Sequence, residues 1–153
     1  MNVVTLVCWV AAALGGFYLL ATWLQSGGMR QQHHGPTRFP VVLIFGHFLL
    51  AGVGMLVWLV YLFDAQRNTA MLALAIIAVT AVLGFVMFAR WLPGQVHPPA
   101  AEPVTPDGRA AKPTADAAAE PAAEQQFPIA SVVGHGALAA VTLVLVLIVA
   151  LRA

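Results

Sequence analysis

Two histidines are the residues of this chain best placed to do chemistry. Each stands in the same frame: Phe39-Pro40 is followed by six residues and His47, and Phe127-Pro128 by six residues and His135. A glycine, Gly46 or Gly134, directly precedes each histidine. Both lie inside long apolar stretches that hold no charged residue. An ionisable side chain in hydrocarbon is costly to desolvate and is therefore a functional hypothesis by default. Two imidazoles are the donor set for axial coordination of a haem iron; another metal ion or a proton relay are further uses of the same groups.

The elements that carry these histidines follow from composition. Of 153 residues, 61% are apolar and 8% charged, where a soluble domain carries about 25% charged residues. That excludes a soluble globular enzyme. A net charge of +1 gives no bulk field for nucleic acid. Four stretches are free of charge: Val3–Leu24, Val41–Phe63, Thr69–Ala89 (with Arg90 at its edge) and Ile129–Leu151. About 20 residues at 1.5 Å each cross a hydrocarbon layer of about 30 Å. In lipid each backbone amide must be satisfied within its own segment, so these are expected to be helices. The first stretch lacks a basic leading region and reads as a retained span, not a cleaved signal. Strands of alternating polarity are absent, which excludes an outer-membrane barrel.

The spans repeat. From Phe39 to Val60, eight of 22 positions are identical to those 88 residues later. Gly16-Phe17, Ala21 and Trp23-Leu24 recur 68 residues later as Gly84-Phe85, Ala89 and Trp91-Leu92. The two offsets differ by the extra length of the second long connection. The sequence therefore predicts an all-α membrane protein of four transmembrane helices, an up-down-up-down bundle of two tandem hairpins. The first covers 1–63, with spans 3–24 and 41–63. The second covers 69–153, with spans 69–90 and 129–151. Parallel repeats are related by an axis along the membrane normal, which puts His47 and His135 at one depth on diagonal helices. Seven residues from Pro40 or Pro128 raise each about 10 Å into the layer.

The connections differ in character. Asp64–Asn68 is short, and Asp64 with Arg67 reads as a local pair or a headgroup contact. The segment 93–126 is rich in Ala, Pro and Glu and is expected to be a disordered linker. Arg30, Arg38, Arg90, Arg109 and Lys112 share one side of the membrane, against Arg67 and Arg152 on the other. Positive-inside counting places both termini outside. The Ala/Pro-rich linker suggests a bacterial source, hence the inner membrane. Trp23, Trp58, Tyr61 and Trp91 fall near span ends, as aromatic belts do.

For a haem b, every span offers a glycine at the level of the histidines: Gly16, Gly46, Gly84 and Gly134. Arg38 and Arg90 are candidate partners for the propionates. His33, His34 and His97 lack the further ligands a metal ion needs. No catalytic constellation is visible. The four-span layout resembles the membrane anchors of b-type cytochromes, a likeness of architecture. If it binds haem, the chain is expected to pass electrons between membrane quinones and a partner; as a small chain without a catalytic domain, it is expected to act with a membrane-protein partner or as a homo-oligomer. The alternative is a non-catalytic accessory subunit whose histidines serve packing, because glycine-rich membrane helices also pack closely without any cofactor.

Overall fold

The computed structural model describes residues 2–96 and 121–153. It contains α1 (Asn2–Gln25), a single turn α2 (Gln31–His34), α3 (Val41–Asp64), α4 (Arg67–Val96) and α5 (Ile129–Arg152), with a 3₁₀ turn at Ala123–Gln126 and no strand among the described residues. Four of these helices are long and apolar enough to cross a membrane. Their outward faces carry apolar side chains, among them Val42 at 84% exposure, Phe63 at 91% and Phe85 at 71%. A surface of this kind suggests a multi-pass membrane protein, since contiguous exposed apolar area is rare on proteins that face water.

Local chemistry sets the helix ends. Pro40 and Pro128 are the N-caps of α3 and α5, both extended, with φ near −60°. Proline is suited to a helix start because its missing N–H would be unsatisfied there anyway. α3 stops at Ala65, which takes the left-handed conformation (φ 49°) and donates its N–H to the Tyr61 carbonyl. Asp64 then starts α4: its Oδ1 accepts the Gln66 N–H at 2.9 Å and its Oδ2 the Thr69 hydroxyl at 2.7 Å. This corrects the expected pairing with Arg67; a carboxylate at a helix N-terminus is better used on unpaired donors there. Left-handed alanine costs about 1–2 kcal/mol against a conformation glycine adopts freely. Ala65→Gly is accordingly expected to raise stability by up to about 1 kcal/mol, measurable as a higher midpoint of unfolding in mixed detergent micelles. A lower midpoint would refute the strain.

α1 packs on α5, α3 on α4 and α4 on α5, with α1 against α3 more loosely. This closed ring of four leaves α3 and α5, the histidine helices, on one diagonal. Two cores result. One, at the tight-turn end, holds Trp9, Trp58, Tyr61, Ala70, Ala73, Ile77, Val146, Val149 and Ala150. The other lies toward the histidines and holds Trp23, Phe39, Ile44, Trp91, Ala123 and Phe127. Trp23, Trp58, Tyr61 and Trp91 are thus buried rather than forming interfacial belts.

The expected linker 93–126 is ordered at both described ends. α4 runs through Pro93 to Val96. Residues 121–127 form a strap across the first long connection. Gln31 donates to the Pro121 carbonyl (3.1 Å) and accepts from the Ala123 N–H (2.9 Å). Glu124, 2% exposed, accepts from the Thr37 hydroxyl at 2.7 Å and the Arg38 N–H at 2.6 Å, and its carbonyl accepts from the Trp91 indole at 3.1 Å. Alanine and proline content alone misses such a strap, because its order comes from partners remote in sequence. Residues 97–120, including His97, lie outside the described part.

Candidate functional site

His47 projects from α3 and His135 from α5, and their rings meet across the bundle. The ring centres are 6.2 Å apart, with planes inclined at 72°. Each ring is held by its Nδ1. His47 Nδ1 lies 3.0 Å from the Thr80 carbonyl oxygen on α4, and His135 Nδ1 lies 2.8 Å from the Ala12 carbonyl oxygen on α1. A carbonyl only accepts, so the proton of each bond sits on Nδ1. In the neutral rings each Nε2 therefore carries a free lone pair. No hydrogen bond involves either Nε2 among the described residues.

The two halves of this site correspond residue for residue. His47 and His135 are 88 apart; their acceptors Ala12 and Thr80 are 68 apart, as are the glycines beneath the rings. A Cβ built on Gly84 would stand 3.0 Å from His47 Cε1, and one on Gly16 would stand 3.1 Å from His135 Cε1. His47 thus leans from α3 onto α4 and His135 from α5 onto α1, and glycine gives each ring an uncrowded place to lie. Gly46 and Gly134 differ: a Cβ on either would meet no atom within 4 Å, and Gly134 is exposed, so these glycines present open faces and do not pack under a ring. The carbonyl acceptors are the functional groups that sequence reasoning missed. Every residue has a carbonyl, so only the shared 68-residue offset could have flagged Ala12 and Thr80.

The layer is closed unevenly. Phe17 on α1 and Phe48 on α3 pack edge to face at 4.9 Å. The corresponding positions on α4 and α5 are Phe85, which is largely exposed, and Gly136, where a Cβ would meet nothing within 4 Å. No ring pair seals that side.

Arg38 and Arg90 come together at the end of the bundle nearest the histidines, on one cleft of about 590 Å³ that His33 also lines. Both arginines are exposed. Among the described residues no cluster of three or more His, Cys, Asp or Glu converges.

Packing predicts a consequence at the glycines. Gly84→Leu is expected to push the His47 ring off the Thr80 carbonyl, because the Cβ alone makes a contact tighter than most and the further carbons of leucine need the space the ring fills. Nitrogen-15 NMR of labelled histidine reads this as loss of the fixed Nδ1–H tautomer at His47 while His135 keeps its own. An unchanged His47 signal would contradict the close approach.

No known protein family, curated protein or solved structure matches the chain.

Proposed function

We propose that this chain is a multi-pass protein of the bacterial inner membrane, built from two copies of one helical hairpin, that holds a b-type haem between His47 and His135. The observation that carries this reading is the pair of imidazoles with Nε2 lone pairs and ring centres 6.2 Å apart. Two imidazoles that held one iron through Nε2, at about 2 Å each, would have ring centres about 6 Å apart, a separation that the spacing here matches. Metal-bound histidines characteristically donate their other N–H to a carbonyl or carboxylate, which fixes the tautomer; His47 and His135 do so to Thr80 and Ala12. Two protein ligands suffice for an iron whose other four donors come from the macrocycle.

Duplication is supported by burial as well as by identity. Thr5 and Ala73, Trp9 and Ile77, Ala12 and Thr80, and Trp23 and Trp91 are all buried and all 68 residues apart. Toward the histidines the buried pairs Trp23/Trp91 and Phe39/Phe127 keep their identity. At the tight-turn end, Trp9/Ile77, Trp58/Val146 and Tyr61/Val149 have diverged. The buried aromatic pairs that keep their identity are the ones on the histidine side, which supports a ligand there, while Phe48 and Gly136 in the same layer differ.

When bound, a haem supplies a one-electron Fe(III)/Fe(II) couple. The chain's own residues would orient it: the Nδ1–carbonyl bonds hold the imidazoles. The role is electron transfer between membrane quinones and a membrane-protein partner, with the termini outside. The test is a reduced-minus-oxidised spectrum of the full chain purified from cells supplied with haem precursor. A Soret band with split α/β bands is expected; protein without pigment would overturn the reading. One observation favours the accessory-subunit alternative: each imidazole already has a hydrogen bond and a glycine to pack on. That alternative expects a colourless protein co-purifying with a larger membrane complex.

A further inference from the structure

We infer that the cleft between Arg38 and Arg90 binds the phosphate of an anionic phospholipid. This rests on the membrane reading above but not on the haem. The cleft sits where the apolar stretches of α3 and α4 end: Val41 opens one helix, and Ala89 is the last residue before Arg90 on the other. Pro40 and Pro93 give it an apolar floor beside the two arginines. Among the described residues neither guanidinium makes an ion pair or a hydrogen bond. Glu124, the acid that shares a small adjoining pocket with both arginines, has its carboxylate taken by the Thr37 hydroxyl and the Arg38 N–H. The amide of Gln32 is likewise spent, donating to the Gly28 and Phe39 carbonyls and accepting the Val41 N–H. Among the described residues the cleft therefore sets two positive charges against the single, already hydrogen-bonded carboxylate of Glu124, which leaves an excess of positive charge.

Pseudo-symmetry sharpens the point. By the same offsets the counterparts of Arg38 and Arg90 are Gln126 and Thr22, neither charged. The cationic pair is an addition to one edge of the bundle and not a by-product of duplication. Guanidinium groups suit phosphate because their donors form a planar fork. A basic pocket at helix ends, half apolar and half polar, fits a headgroup and its glycerol better than a soluble ion.

The test uses the full chain in nanodiscs of equal parts phosphatidylglycerol and phosphatidylcholine, followed by native mass spectrometry of retained lipid. The unaltered chain is expected to keep phosphatidylglycerol over phosphatidylcholine by about tenfold. R38Q/R90Q is expected to lose that preference, and R38K/R90K to keep part of it; circular dichroism verifies that each variant folds. Equal retention of the two lipids by the unaltered chain would overturn the inference, as would an unchanged preference in R38Q/R90Q. Displacement of the lipid by millimolar inorganic phosphate would assign the cleft to a soluble anion and overturn the lipid assignment. Loss of pigment from R38Q/R90Q with lipid preference intact would assign the arginines to the cofactor's carboxylates instead. A colourless protein that still selects phosphatidylglycerol upholds the cleft while the haem reading fails.

Discussion

His47→Ala is expected to remove the pigment of the purified, reduced chain, and His135→Ala to remove it equally. Losing a group that only supports a metal ligand already costs 10–100-fold in affinity; losing the ligand itself should lower haem per chain by more than about tenfold. Neither histidine can stand in for the other, because each is held on its own carbonyl, Thr80 or Ala12, on opposite sides of the axis. Membrane insertion should survive both changes, since each removes one hydrogen bond worth about 1 kcal/mol net and leaves the apolar helices as they are. His47→Met provides the control for packing. A thioether ligates haem iron and raises its potential, so this variant should keep a six-coordinate spectrum with a shifted midpoint. A six-coordinate bis-imidazole spectrum persisting in either alanine variant would place the pigment elsewhere.

The histidine layer was legible because it depends on period and position alone. The repeated Phe-Pro frame puts both rings at one height, and charge-free length locates α1, α3 and α5 to within a residue at either end. α4 was read too short. A charge at Arg90 and a proline at 93 both suggest a stop, yet the helix continues to Val96, because proline forfeits only the bond back to Ala89 and its neighbours hold the turn. The end tryptophans illustrate a deeper limit. An indole near a span end looks the same whether it faces headgroups or a neighbouring helix, and only the crossing geometry decides. The strap at 121–127 was hidden for a similar reason: Gln31, Thr37 and Glu124 lie some 90 residues apart, and nothing local marks them as partners.

The second large effect lies at the other end of the bundle. Trp58 is fully buried against Trp9 and Tyr61, with ring centres at 6.3 and 5.0 Å. Its counterpart 88 residues on is Val146, also fully buried and in the same core. α1 and α3 thus supply the bulk there, and α4 and α5 supply small residues: Ala70, Ala73, Val146 and Ala150. Trp58→Ala should destabilise the bundle by about 3 kcal/mol, the cavity part of the usual 3–5 kcal/mol. The transfer part shrinks, because an unfolded helix in a bilayer is still surrounded by hydrocarbon. Val146→Trp alone should cost about 1–3 kcal/mol through overpacking. The exchange Trp58→Val with Val146→Trp tests whether the halves are interchangeable: summed volume is conserved, so it should recover more than half of the loss in Trp58→Val. Unfolding midpoints in mixed micelles read all four proteins as one cycle. Strict additivity would mean that Trp58 and Val146 do not share one packed space, and that the far core is not divided between the hairpins as described.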